Sequence, residues 1–328
     1  MSKKRVLISV GLDFKGADEV VSTLEKAGFE VEHRYGAPDW SDADTVEKLK
    51  GVHGLLAGSE LLDESTLSQA EDLEIIARNG AGYDKVDLDY CAGRGVYVTT
   101  TPGAMADAVA DEALAMVLSL ARKLPEGDRA VKDGGYEVPI GEDLAAMTLG
   151  LVGCGHIGRE VVRRALAFRM RVLVYDPWVS AEDLEGIGAE KAELDELLPQ
   201  ADAITLHTPL TDENQKMVNA DFLSKLKRGA FVINTARGGL VDEEALLAAL
   251  EDGRVGGAGL DCQATEPPRG TSLDLVRHPK VIAMPHAGSY THAGRKRMAM
   301  VAATSIAEAL SGQVPSHVIN TKILEGRG

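Results

Sequence analysis

Arg237, Glu266 and His286 each stand at or just past the end of an apolar run that reads as a strand. Arg237 follows "FVIN" in "FVINTARGGLVDEEAL", Glu266 comes shortly after "GAGLD" in "GLDCQATEPP", and His286 follows "VIAMP". In an open α/β sheet, ligands sit outside the carboxyl ends of the strands, so the three side chains could converge on one crevice. A histidine there exchanges a proton near neutral pH. A neighbouring carboxylate orients the ring and raises its pKa, which makes Glu266 the natural partner of His286. Arg237 offers a planar fork to a carboxylate or a polarised carbonyl. The set suits the interconversion of a 2-hydroxy acid and a 2-keto acid. The histidine takes or returns the hydroxyl proton while hydride leaves or reaches carbon 2.

Hydride chemistry belongs to a nicotinamide, so neither a metal nor a covalent nucleophile is implied. A place for the dinucleotide is legible in "TLGLVGCGHIGREVVRRALAF". Gly153, Gly155 and Gly158 have the G-x-G-x-x-G spacing, follow an apolar strand and open an amphipathic helix. The first glycine makes the tight turn, the second admits a pyrophosphate, and the third lets the helix pack on the strand. The helix N-terminus offers free N–H groups and a partial positive charge. Gly153, Gly155, His156, Ile157 and Gly158 form the expected cofactor turn, with His156 and Cys154 as spacers rather than chemical groups. The next strand, "RVLVYDP", ends in Asp176, eighteen positions beyond Gly158. A carboxylate there accepts the ribose hydroxyls of NAD and repels the 2′-phosphate of NADP.

These residues must be positioned by elements that alternate strand and helix twice over. "RVLISV", "GLLAG", "LEIIAR" and "GVYVTTTPG" read as strands of a first parallel sheet. Strands near Thr148–Val152, Val172–Tyr175, Ala203–Leu206, Ala230–Ile233, Gly256–Leu260 and Val281–Ala283 make a second sheet of about six strands, the usual number for a doubly wound dinucleotide fold. A long helix is expected over 104–124, suited to connecting two domains, and another after Pro285 in "THAGRKRMAMVAATSIAEALSG", whose methionines are read as core. The expected organisation is a discontinuous first domain, 1–103 and 293–328, with a second domain, 104–292, inserted into it.

The chain has 328 residues, enough for two domains, and is 45% hydrophobic. Its 35 lysines and arginines against 51 aspartates and glutamates leave a formal charge of −16, which argues against a nucleic-acid partner. Cys91, Cys154 and Cys262 lack metal-ligand spacing, and their odd number suggests a reducing compartment. The start, "MSKKRVLISVGLDF", is too short and too quickly polar for a signal peptide, and no run approaches a membrane span. The expectation is a cytoplasmic protein with no membrane partner.

"LVGCGHIG", "NTARGGLVDEEAL", "GLDCQATEPP" and "PHAGSYT", in that order, resemble the D-isomer-specific 2-hydroxyacid dehydrogenase family. "RNGAGYDKVDL" and "TTPGAMADAVADEAL" are similar to its substrate loop and interdomain helix. The resemblance covers nearly the whole chain, and is nearest the D-3-phosphoglycerate dehydrogenase-like branch in a short form without a regulatory domain. It implies two doubly wound parallel-sheet domains, a flavodoxin-like substrate domain and a Rossmann NAD-binding domain, closing over a cleft. It also implies a homodimer joined through the cofactor domain. By resemblance Arg237 binds substrate, His286 is the acid/base and Glu266 its partner. Asp261 would face the nicotinamide side, and Thr208, Pro209, Thr235, Ala236 and Gly288 would line the cofactor. The N–H groups of Gly80, Ala81 and Gly82 would cradle the substrate carboxylate; Arg78, just before them, reads either as a contact for a second anion or as a surface ion pair at a strand end.

Some positions depart from the commoner pattern. Thr100 stands where asparagine is common and Ala287 where isoleucine is common. Gln263 follows Cys262 in place of an aliphatic or aromatic residue, and reads either as a contact for a polar substrate or as a rim residue. In "AGSE", Gly58-Ser59 occupy the turn where eukaryotic phosphoglycerate dehydrogenases carry an arginine, which weakens the case for a phosphorylated substrate. His207, at another strand end, reads as packed and hydrogen-bonded. His53, His278, His292 and His317 read as incidental. Two alternatives stay open beside the phosphoglycerate dehydrogenase-like enzyme: a glyoxylate/hydroxypyruvate reductase, and a non-catalytic NAD(H)-sensing corepressor-type protein of the same fold. Formate dehydrogenase pairs its histidine with glutamine, and Glu266 argues against it.

Overall fold

Twelve short strands form among the described residues, 3–35 and 41–322 of the computed structural model. The chain separates into two units, Met1–Met105 with Tyr290–Gly328, and Ala106–Ser289. The divisions thus fall at 105/106 and 289/290, against 103/104 and 292/293 in the sequence reading. Of the expected domain ranges, 1–2, 36–40 and 323–328 lie outside the described residues.

In the first unit, β1 (Arg5–Ile8), β2 (Glu30–His33), β3 (Gly54–Ala57), β4 (Ile75–Arg78) and β5 (Tyr97–Thr99) form one parallel sheet in the order β2-β1-β3-β4-β5, the flavodoxin-like order. All four residues of β3, a central strand, are buried. The edge strand β2 was not anticipated. Its "EVEH" has one residue with strong strand preference, and no residue of it is fully buried, so no apolar run marks it. The helix His292–Leu310 belongs to this unit and turns Ala299, Ala302, Ala303 and Ile306 into its core. Met298 is buried, and Met300 packs on the cluster that Ala299 and Ile306 join.

In the second unit, β6 (Thr148–Val152), β7 (Arg171–Tyr175), β8 (Glu190–Lys191), β9 (Ala203–Leu206), β10 (Ala230–Asn234), β11 (Val255–Leu260) and β12 (Val281–Ala283) pair in parallel. Their order is β12-β11-β10-β9-β6-β7-β8. From β6 this is the 3-2-1-4-5-6 order of a dinucleotide-binding sheet with one further strand, β12. The sheet has seven strands rather than about six, because two-residue β8, both residues exposed, leaves no trace in hydrophobic patterning. Buried residues cover both faces of the sheet. The first order change lies between β6 and β9, where the glycine turn leaves β6.

The helix expected over 104–124 runs only from Ala106 to Ala121. Lys123 takes a left-handed conformation (φ 51°), and a second helix, Leu124–Lys132, starts behind it with Pro125 in its first turn. A proline within one continuous helix would remove a donor and strike the preceding turn, so the apolar periodicity across 121–124 spans a break.

Asn320 closes the exposed side of β5. Its Oδ1 accepts from Val98 N–H at 2.9 Å and its Nδ2 donates to Val96 O at 2.8 Å, both buried. Asn320→Ala leaves both main-chain groups unpaired and should lower stability by about 2–3 kcal/mol. Urea unfolding followed by circular dichroism checks this, and an unchanged midpoint would show that water replaces the amide.

Candidate active site

His286 stands on the turn leaving β12, in a left-handed conformation (φ 56°) that a residue with a Cβ rarely adopts. The turn is held by Asp261, at the end of β11. Asp261 O accepts from His286 N–H at 2.8 Å. Its carboxylate accepts from Ala287 N–H at 2.6 Å and Gly288 N–H at 2.9 Å. The His286 ring is thereby presented to Glu266, whose two oxygens lie 2.9 and 3.1 Å from Nδ1. The hydrogen bond that His286 donates to Glu266 leads in raising the pKa of His286. Burial opposes it, the charges of Glu266 and Asp261 support it, and Arg237 works against it. For Glu266 burial alone would raise the pKa, but His286, the Gln263 N–H and Arg237 together lower it. The pair is drawn toward imidazolium and carboxylate.

Arg237 leaves the end of β10 on a turn braced from within. Asn234 is fully buried, accepts from Ala236 N–H (3.0 Å) and donates to Arg237 O (2.8 Å). Gly238 explains the glycine after the cation. A Cβ there would come within 2.1 Å of the Gln263 carbonyl, so only glycine lets the Arg237 turn lie against the Glu266 loop. That loop has its own buried brace. Glu243, in the first turn of the helix Glu243–Glu251, accepts from Ala264 N–H (2.9 Å) and from the Ser272 hydroxyl (2.5 Å). Gln263 is a correction to both sequence readings. It is buried, and its Nε2 faces Leu260 O and Met284 O at 3.3 Å each, tying the ends of β11 and β12. A side chain satisfying two main-chain carbonyls in the interior is neither at the rim nor offered to substrate.

The glycine turn after β6 shows three different surroundings. Gly153 has φ 91°, and a Cβ on it would meet His207 O at 2.7 Å. A Cβ on Gly158 would meet Gly153 O at 2.5 Å. Around Gly155 nothing lies within 4 Å of that position, so its backbone is open to a ligand. Gly155 is also the N-cap of the helix His156–Ala167 and supplies no side-chain cap, so the first-turn N–H groups remain for an anion. His156 is exposed, while Ile157 packs toward the core. Asp176, 8% exposed, takes Cys154 N–H (2.7 Å) on one oxygen and Trp178 N–H (2.8 Å) on the other. Each oxygen keeps a second lone pair for a hydroxyl donor. Thr208 and Pro209 follow β9, and Thr235 and Ala236 follow β10. Thr235 Oγ1 is buried and has no hydrogen-bond partner among the described residues. An open glycine turn, an uncapped helix end and an unmatched hydroxyl fit a dinucleotide.

In the first unit, Arg78 ends β4 and its Nε donates to Gly82 O at 3.2 Å, bracing the turn that holds Gly80, Ala81 and Gly82. The Gly80 carbonyl is fixed by Thr101 N–H at 3.0 Å. At the Gly58-Ser59 turn, Lys85 Nζ donates to Ser59 O at 2.9 Å. A cation therefore reaches this turn from 26 positions away, which local sequence did not show.

His207 bonds Thr205 Oγ1 through Nε2 at 2.8 Å, and burial lowers its pKa to about 3. The three cysteines are free and buried, and burial raises each thiol. Among the described residues no group of three or more His, Cys, Asp or Glu is arranged to hold a metal ion, and no helix is long and apolar enough to cross a membrane. Sequence reasoning missed Asn234, Glu243 and Ser272, and also Glu112, whose carboxyl lies beside Asp261. Only Glu243 left a signal, an acid in a helix first turn, where it reads as a capping charge.

Residues 114–288 match the family model described as "D-isomer specific 2-hydroxyacid dehydrogenase, NAD binding domain". The chain is 37% identical over 290 residues to the glyoxylate reductase of Korarchaeum cryptofilum, covering 86% of this chain and 87% of that one. It is 34% identical over 312 residues to the D-3-phosphoglycerate dehydrogenase of Archaeoglobus fulgidus, covering 94% of this chain but 58% of that longer one. The D-lactate dehydrogenase of Aquifex aeolicus, solved with NAD and lactic acid, superposes with a TM-score of 0.81 at 29% identity over 98% of both chains.

Gly238→Ala should force the Arg237 turn and the Glu266 loop apart. Overpacking of this kind costs about 1–3 kcal/mol of stability, and kcat with any accepted substrate should fall at least about tenfold, as misplaced catalytic groups allow. Steady-state kinetics beside a thermal melt reads both. A variant with unaltered kcat would show that the two loops need not touch.

Proposed function

The chain belongs to the D-isomer specific 2-hydroxyacid dehydrogenase family, and from that premise we propose that it interconverts a D-2-hydroxy acid and its 2-keto acid with His286 and Glu266 as the acid/base pair and Arg237 as the substrate-binding cation. The observation that carries this reading is the bond from His286 Nδ1 to both oxygens of Glu266. It holds the proton on Nδ1 and leaves Nε2 to exchange a proton with the substrate oxygen. NAD, when bound, supplies the hydride chemistry. Arg237 holds the substrate carboxylate, or polarises its carbonyl, with the donors of its guanidinium. Gly153, Gly155, His156, Ile157, Gly158, Thr208, Pro209, Thr235, Ala236, Asp261 and Gly288 hold the dinucleotide in this reading, and Asp176 selects NAD by its ribose hydroxyls. Gly80, Ala81 and Gly82, with Arg78, contact the substrate acid.

For the substrate we favour a small unphosphorylated 2-keto acid such as glyoxylate or hydroxypyruvate. The Gly58-Ser59 turn has no arginine of its own, and the Korarchaeum glyoxylate reductase is matched over most of its length. Phosphohydroxypyruvate is the second reading, favoured by Lys85 at the Ser59 carbonyl. We also place the protein in the cytoplasm, where three free buried cysteines stay reduced. We further propose a homodimer. It is supported by the exposed apolar side chains Leu124, Val131, Tyr136, Val138 and Ile140 within one stretch of the second unit.

NADH absorbance with glyoxylate, hydroxypyruvate, pyruvate and phosphohydroxypyruvate tests the reading. Turnover of at least one is expected. NADH binding with no turnover of any would instead favour an NAD(H) sensor. His286→Ala should keep NADH binding and lower kcat by about two to four orders of magnitude; near-native turnover would remove His286 from the mechanism. The raised His286 pKa gives the sign of the pH effect. Reduction consumes the imidazolium proton, so its rate should hold above the ordinary histidine range and fall as pH rises through the raised value. Oxidation needs the neutral ring and should rise over the same window.

A further inference from the structure

Glu112 lies on the helix Ala106–Ala121 and reaches the back of the turn that carries His286. Gly288 shows how close two carboxyl groups come. A Cβ there would meet Glu112 Oε2 at 2.7 Å and Asp261 Oδ2 at 3.0 Å, so both oxygens border the same small space. Asp261 is committed as an acceptor, with one main-chain N–H on each oxygen. Glu112 Oε2 is buried and has no hydrogen-bond partner among the described residues. Two ionised carboxylates side by side and out of water repel, so one of them holds a proton. The one with two donors keeps its charge, and the one with none takes the proton. A protonated Glu112 changes from an unmatched acceptor into a donor to Asp261, which accounts for its oxygen. Burial, then the charge and hydrogen bond of Asp261, raise Glu112 to about 7, while the positive charge of His286 pulls it down.

We propose that Glu112 is a positioning residue that holds a proton against Asp261 and releases it to solvent as the pH rises, so that the charge behind the His286 turn changes with pH. The groups around it come from several elements. Asp261 and Cys262 lie past β11, His286 past β12, and Arg237, which acts on His286 and Cys262, past β10. On its own helix Asp107 and Asp111 are paired with Arg164 of the helix His156–Ala167. With Glu112 neutral, Asp261 and Glu266 are the charges that favour the imidazolium. With Glu112 ionised a third is added, so His286 holds its own proton to higher pH. The consequence for His286 rests on the dehydrogenase reading above; the proton on Glu112 does not.

Glu112→Gln keeps the shape and offers Asp261 an N–H in place of the O–H, but cannot ionise. In infrared difference spectra of the full chain between about pH 6 and about pH 8, the wild type should lose a protonated-carboxyl C=O band that Glu112→Gln lacks from the start. In kcat/KM for keto-acid reduction, the histidine limb of Glu112→Gln should move to lower pH by about half a unit, the size expected of one nearby charge in a partly wet site. Wild-type spectra without such a band overturn the proposal, as do superimposable pH profiles. If Glu112→Gln does not fold, the wild-type spectra still decide the proton. A band in a chain that turns over no keto acid supports the proton on Glu112 and sinks the dehydrogenase reading. Turnover without the band sinks the proposal alone.

Discussion

Three consecutive main-chain N–H groups, those of His286, Ala287 and Gly288, are bound by one residue, Asp261. That constraint lets His286 occupy a left-handed conformation, which costs an L-residue energy and persists only where surroundings over-determine it. The ring then reaches Glu266 rather than pointing elsewhere on a flexible turn. Each further brace protects this arrangement. Gln263 ties the ends of β11 and β12, Glu243 and Ser272 hold the loop bearing Glu266, and Gly238 lets the Arg237 turn lie on that loop.

The same device appears at the cofactor turn. Asp176, at the end of β7, binds the N–H of Cys154 in the glycine turn leaving β6, as Asp261, at the end of β11, binds the turn leaving β12. In both places a buried carboxylate at one strand end fixes the exit of the neighbouring strand. A carboxylate that accepts from main-chain donors makes strong, directional bonds and so fixes the path of the turn that carries them. The electrostatic result is a histidine enclosed by acids, with Arg237 as the opposing charge.

The parts of the fold that were legible in sequence are those governed by local requirements. Central strands such as β3 and β9 are buried throughout and read as continuous apolar runs. The glycine turn was legible because each glycine answers a different steric demand, seen at Gly153, Gly155 and Gly158. The edge strands β2 and β8 were not, since exposed residues there carry no alternation. The long helix was overrun for the opposite reason: apolar spacing continued across a break that only Pro125 signalled.

By itself the sequence determined the central strands of both sheets, the nature of the cofactor turn, and the three side chains with coherent proton and anion chemistry. These follow from periodicity, glycine geometry and residue type at strand ends. Only the tertiary structure decided which buried polar groups answer one another. It turned Gln263 from a candidate substrate contact into a brace, brought Lys85 to the Ser59 turn, and set Glu112 against Asp261. The physical reason is that a buried donor or acceptor must be satisfied wherever the chain can supply a partner, and the partner is chosen by the packing of elements far apart in sequence.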